Sequence, residues 1–167
     1  LPDNFYQSIV STAHRTAARC IIDTSGPALQ ALRGEKPFLI KPNRNELAQL
    51  VHRDQLQEEE ITPAARQVIR DGYAELVVVS LGASGAWLVS KDQQFYCKAP
   101  AVEKKSTVGA GDSMVAGITF MLAQEHGLAE ALQFGVACGS AATMNPGTQL
   151  FDPKQAFRLY EQIRNSP

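Results

Sequence analysis

In Thr107-Val108-Gly109-Ala110-Gly111-Asp112-Ser113 a glycine-rich turn opens directly into the mostly apolar run Met114 to Leu122, with a carboxylate at the join. A turn that becomes a helix leaves several backbone N–H groups without intrahelical partners. Those groups and the helix dipole together make an anion site. Glycine permits left-handed dihedrals and lets a phosphate come close to the backbone. Asp112 would sit in the first helical turn. One reading is structural, because capping and the dipole both favour a carboxylate there. The other is chemical: a carboxylate repels a bound phosphate, but it can accept the proton of a hydroxyl that attacks one.

Two further constellations precede it. Lys41-Pro42-Asn43-Arg44-Asn45-Glu46 follows an apolar strand and opens a helix. Asn43 and Glu46 have capping-box spacing. The same residues suit phosphate and magnesium, since Lys41 and Asn43 can donate to phosphate oxygens. Glu46 can hold water around a magnesium ion, which takes few carboxylates. Ser80-Leu81-Gly82-Ala83-Ser84-Gly85 ends the strongest strand. It reads as a hairpin turn, or as a glycine turn beneath a nucleotide at the carboxyl edge of a sheet. Gly135 to Ala142 is a helix of small residues, read as close helix–sheet packing or as a face for a flat adenine ring. Trp87, Phe95 and Tyr96 read as hairpin core. Glu58-Glu59-Glu60 reads as a solvated face without chemistry.

The elements that position these residues follow from periodicity. Residues 4–18 read as a helix with Ile9, Val10, Ala13 and Ala17 on its apolar side. Strands are expected at 19–23 and 37–41, with a short helix at 28–32 and another at 44–51. A helix from Thr62 or Pro63 to Asp71 ends at Gly72. Leu76 to Leu81 is rich in β-branched residues and reads as a strand buried on both faces of a parallel sheet. Segments 86–90 and 94–97 are hairpin partners about Lys91-Asp92-Gln93. Helices follow at 112–125, 128–144 and 153–164. Strands and helices that alternate, then a hairpin, then helices describe one α/β domain with an antiparallel edge. Leu1-Pro2 opens with no strand before it, so the chain is expected to begin partway through a longer protein.

Composition narrows the class. The 167 residues suffice for a core, and 44% hydrophobic with 20% charged residues is ordinary for a soluble domain. A net charge of −1 argues against nucleic acid held by bulk electrostatics. No apolar run approaches membrane-spanning length, and no signal peptide is visible. Cys20, Cys97 and Cys138 are odd in number and far apart, which argues against a disulfide framework and fits a reducing cytoplasm. His14, His52 and His126 are scattered in expected surface helices, which argues against zinc.

Taken in order, Lys41-Pro42-Asn43-x-x-Glu46, Ser80-Leu81-Gly82-x-x-Gly85 and Thr107-Val108-Gly109-Ala110-Gly111-Asp112-Ser113 resemble the PfkB group of ribokinase-like sugar kinases. Ile22-Asp23-Thr24-Ser25-Gly26, the helix from Gly135 to Ala142 and Asn145-Pro146-Gly147-Thr148 look closest to its phosphofructokinase branch. The resemblance implies a ribokinase-like three-layer α/β/α sandwich, with a mostly parallel sheet and an antiparallel hairpin at the edge. This chain would be its C-terminal, ATP-binding and catalytic portion.

The implied reaction is ATP-dependent phosphorylation of fructose 6-phosphate to fructose 1,6-bisphosphate. A 1-phosphofructokinase or a tagatose-6-phosphate kinase would be the near relatives. Asp112 would be the catalytic base, and the amides of Gly109, Ala110 and Gly111 the anion hole. Lys41, Asn43, Ser80, Gly82 and Gly85 would contact ATP, with Lys104, Val136 and Ser140 near its adenosine end. Glu46 would organise Mg2+. A monovalent-cation loop for K+ would map to Ser106, Val108, Ala142, Asn145 and Gly147, closing near Gln149. The full-length protein would be a cytoplasmic homodimer, with no nucleic-acid or membrane partner.

The family's opening strands, most of its sugar contacts and its β-sheet lid are missing from these residues. Two other functions therefore stay open: a non-catalytic nucleotide-binding or assembly module, and a kinase of a nucleoside or another small alcohol.

Overall fold

The computed structural model describes residues 5–149 and 151–166. Leu1-Pro2 and the first residue of the expected 4–18 helix lie outside the described residues. The elements in order are α1 (Phe5–Arg15), β1 (Ile21–Ile22), α2 (Gly26–Gln30), β2 (Leu39–Ile40), α3 (Arg44–Leu50), α4 (Ile61–Arg70), β3 (Leu76–Ser80), β4 (Ala86–Val89), β5 (Gln94–Cys97), α5 (Ala110–Ala123), α6 (Leu128–Thr143) and α7 (Pro153–Arg164). Single 3-10 turns occur at Glu58–Glu60 and Gly82–Ser84. The sheet runs in the order β1-β2-β3-β4-β5. The chain forms two compact units, Leu1–Ser80 with Trp87–Gln94, and Leu81–Ala86 with Phe95–Pro167.

The first unit is built on parallel strands. Ile21 pairs with Leu39 and Ile22 with Ile40, while Leu39 pairs with Leu76 and Ile40 with Val77. Leu39, Ile40, Val77, Val78 and Val79 are all 0% exposed. Burial of both sheet faces explains why β3 carries an unbroken apolar run rather than an alternating one. β1 and β2 are shorter than the apolar runs suggest, yet the ladder continues past their ends. The N–H of Leu76 donates to the Phe38 carbonyl (3.0 Å), and that of Ser80 to the Pro42 carbonyl (3.1 Å). α3 starts at a complete capping box. The Asn43 side chain accepts from the amides of Asn45 and Glu46, and Glu46 accepts from the Asn43 amide. α1 stops at Arg15, three residues short of expectation, and Ala17 turns the chain at φ +54°. His52 likewise occupies a left-handed turn rather than a helix.

Glu58 and Glu59 are exposed, as expected of a solvated face, and half-buried Glu60 adds structural contacts to it. Its carboxylate accepts from the Gln57 amide at 2.7 Å and pairs with Arg53. The Gln57 contact leads in holding that carboxyl below its ordinary pKa.

The second unit is helical, with α6 packed against α5 and α7. The small residues of α6 serve helix–helix packing within this unit. A Cβ on Gly135 would stand 2.5 Å from Ile118 Cγ1, and one on Gly117 would stand 2.8 Å from Cys138 Sγ. Each clash marks a close approach that only glycine allows. Phe134 joins the three helices, 5.7 Å from Phe120, 5.0 Å from Phe157 and 5.3 Å from Tyr160 between ring centroids. On β5, burial alternates with the pleat: Cys97 is buried, Phe95 half-buried, and Gln94 exposed. Tyr96 points outward at 44% exposure, so it is not core, and its hydroxyl donates to the Ser84 carbonyl.

Candidate functional site

Parallel strands in register bring their carboxyl ends to one edge. In the first unit that edge carries Asp23 after β1, Lys41 to Asn43 after β2, and Ser80 at the end of β3. Asn43 and Ser80 form an isolated parallel bridge there. Lys41 is 7% exposed, and its Nζ lies 3.1 Å from Asp23 Oδ2. Asn43 is exposed. Its Oδ1 accepts from Asn45 and Glu46, both at 2.9 Å, so its Nδ2 group is the part left for a ligand. Glu46 Oε2 accepts from the Asn43 amide at 2.8 Å. Its other carboxylate oxygen has no hydrogen bond among the described residues. One free oxygen on a half-buried carboxylate fits magnesium, which retains most of its waters.

In the second unit, α5 begins at Ala110, two residues before the expected start, because Gly109 takes φ +75° as its N-cap. A Cβ on Gly109 would meet nothing within 4 Å. The Ala110 amide turns back to the Thr107 carbonyl at 3.3 Å. Among the described residues, the amides of Gly109, Gly111 and Asp112 make no hydrogen bond. Asp112 is exposed in the first turn beside them. A set of unpartnered amides next to an open carboxylate can hold an anion and receive a proton. Among the described residues the Asp112 side chain makes no hydrogen bond, so it does not cap α5, while its place in the first turn still suits the helix dipole.

Gly82 and Gly85 belong to the turn that follows β3. Gly82, at φ +59°, has open space where a Cβ would stand. The turn is closed by the Leu81 amide on the Gly85 carbonyl at 2.9 Å. Lys104 is exposed. Val136 is 1% exposed and Ser140 9%, so the Val136 side chain presents almost no surface to a ligand.

The segments of the expected cation loop meet. Ser106 Oγ donates to the Gly147 carbonyl at 3.0 Å and accepts from the Val108 amide at 3.2 Å. The amides of Lys105 and Ser106 both reach the Thr143 carbonyl, at 2.8 and 3.2 Å. Asn145 N–H donates to the Ala142 carbonyl at 3.3 Å. These bonds tie residues 105–108 to residues 142–147.

Asp23 belongs to the Ile22 to Gly26 motif, but residue spacing gives it no site role; the structure places it at the site edge. Its pairing depends on the register of β1 against β2, and the spacing of residues along the chain does not carry that register. Among the described residues, no helix is long and apolar enough to cross a membrane.

Three comparisons bear on this geometry. The sequence matches the family described as pfkB family carbohydrate kinase over residues 1–155. It is 43% identical over 156 residues to the ATP-dependent 6-phosphofructokinase isozyme 2 of Escherichia coli K12, covering 93% of this chain and 50% of that protein. It is 35% identical over 153 residues to the 1-phosphofructokinase of Bacillus subtilis, covering 90% of this chain and 50% of that one. The crystal structure of Escherichia coli phosphofructokinase-2 in complex with potassium superposes with a TM-score of 0.92 at 40% identity, over 99% of this chain and 54% of that one. The chain thus spans about half the length of the relatives it matches. Its α/β architecture, with a mostly parallel five-stranded sheet, is ribokinase-like. By sequence and by fold, the chain belongs to the pfkB family of carbohydrate kinases.

Proposed function

We propose that the protein carrying this chain transfers the γ-phosphoryl group of ATP to a hydroxyl of a phosphorylated hexose, with fructose 6-phosphate as acceptor and fructose 1,6-bisphosphate as product. One observation carries the reading: exposed Asp112 stands beside the unpartnered amides of Gly109, Gly111 and Asp112 at the start of α5. Asp112 takes the proton of the attacking hydroxyl. The amides meet the charge that develops on the transferring group, where aligned donors are most effective. This shifts one member of the anion hole, because the Ala110 amide is held by Thr107.

Lys41, Asn43 and Ser80 act on the nucleotide, as do the open backbone at Gly82, the turn at Gly85 and exposed Lys104. Ser140 and the backbone at Val136 take its adenosine end. Glu46 holds magnesium through water, and that ion, when bound, screens the charge of the phosphates. Ser106, Val108, Ala142, Asn145 and Gly147 hold a potassium ion. The working protein is a homodimer of cytoplasmic location.

The test is Asp112→Asn in the protein that carries these residues. The expected result is a fall of roughly 100-fold or more in kcat and kcat/KM together, with melting temperature unchanged because Asp112 is exposed. Full turnover by the variant would remove Asp112 as the base.

A second reading is favoured by the Bacillus subtilis relative: the acceptor is fructose 1-phosphate. A comparison of kcat/KM for the two sugar phosphates, with tagatose 6-phosphate as the third, decides between acceptors. Nucleotide binding with no turnover on any of them would favour the non-catalytic module instead.

A further inference from the structure

We propose that Asp23 is a positioning residue for Lys41, fixing the ammonium group that meets the nucleotide's phosphates. The inference rests on the reading of Lys41 as a phosphate contact and adds the residue that makes it one. β1 and β2 pair Ile22 with Ile40, so the next positions in the parallel ladder are Asp23 and Lys41. That register brings Asp23 Oδ2 to 3.1 Å from Lys41 Nζ. The lysine side chain is 8% exposed and the aspartate 28%, so the pair sits at the rim of the sheet with the ammonium on the inner side. Among the described residues, Asp23 is the one carboxylate within ion-pair distance of Lys41.

A buried ammonium needs such a partner, because leaving it uncompensated is strongly unfavourable. The group also carries three donors on a flexible four-carbon stem. One donor on Asp23 removes the freedom of the stem and leaves two donors for phosphate oxygens. The electrostatic sign runs the other way, since a carboxylate near the site repels a polyanion. The proposal is that orientation outweighs this repulsion. The two effects make opposite predictions for Asp23→Asn.

The experiment compares Asp23→Asn, Asp23→Glu, Lys41→Met and the double variant Asp23→Asn/Lys41→Met. It measures ATP affinity by titration, KM for the sugar phosphate, and melting temperature without ligand. The expected result is ATP binding weakened roughly tenfold or more by Asp23→Asn, partly restored in Asp23→Glu, with the sugar-phosphate KM unchanged. In the Lys41→Met background, Asp23→Asn should weaken ATP binding no further. The melting temperature should drop in each single variant and recover in the double one.

Tighter or unchanged ATP binding in Asp23→Asn overturns the proposal. So does an equal loss in both backgrounds, which would mean that Asp23 acts without Lys41. A coupling seen only in melting temperature makes the pair structural and also overturns it. Lys41→Met binding ATP normally removes the proposal while leaving the kinase reading to the Asp112 variant. Should Asp23→Asn fail to fold, Asp23→Glu carries the same comparison with a displaced carboxylate.

Discussion

Gly85 lies so close to Cys97 that a Cβ on the glycine would stand 2.0 Å from the cysteine's carbonyl oxygen. The same Cβ would also meet the Ala99 nitrogen at 2.8 Å. Both neighbours are backbone, so neither can swing aside. Gly85 also sits at φ +107°, a region that side chains rarely adopt. Gly85→Ala should therefore destabilise the fold by about 3 kcal/mol or more. Urea denaturation measures this, and a loss below about 1 kcal/mol would mean that the turn and β5 separate freely.

Asn43 offers a way to separate stability from nucleotide contact. Its oxygen caps α3 while its amide nitrogen is left over. Asn43→Asp keeps the acceptor and loses the donor, so stability should change by less than about 0.5 kcal/mol. KM for ATP should rise roughly tenfold. Asn43→Ala loses both functions and should lower stability by about 1 kcal/mol as well. Equal effects of the two variants on ATP would contradict the assignment of the nitrogen.

Some of this was legible in residue order alone and some was not. Asn43 and Glu46 form a capping box within one turn, so spacing alone predicted it. The β-branched run of β3 announced burial on both faces. The small residues of α6 announced a close neighbour without saying which. Gly135 meets Ile118 of α5. Tyr96 faces outward because the two-residue alternation of β5 outweighs the apolar character of its ring. The start of α5 moved because a left-handed Gly109 can cap a helix before the first carboxylate. The boundary between the two units falls at turns and strand ends, 80/81, 86/87 and 94/95, where no linker composition marks it.

Ser106 joins two segments 41 positions apart through its bond to the Gly147 carbonyl. Ser106→Ala loses that bond and the one from Val108. The expected cost is about 1 kcal/mol of stability. The KCl concentration for half-maximal turnover should rise roughly fivefold, from a similar loss in binding free energy. Turnover measured against KCl tests this. An unchanged response would remove the cation assignment.

Two thiols should make stability fall in alkali. Burial pushes Cys97 up to about 11 and Cys138 up to about 12, from an ordinary 9.0. The unfolded chain gives up these protons first, so the folded state is favoured below pH 9 and loses that advantage as pH rises through 11 and 12. The slope approaches about 1.4 kcal/mol per pH unit for each thiol. Denaturation at several pH values from 8 upward should show the decline, and Cys138→Ala should flatten it. A decline of the same steepness without the thiol would assign the effect to other groups.

The turn from Leu81 to Gly85 is already latched at both ends, by the Leu81 amide on the Gly85 carbonyl and by the Tyr96 hydroxyl on Ser84. A visitor to that surface finds the furniture already in place. Little chain freedom is surrendered on arrival, so the encounter should be quick and its entropy penalty small at this end of the molecule. On the proposed nucleotide site, Tyr96 is then the residue through which arrival speed is tuned, by its hold on Ser84.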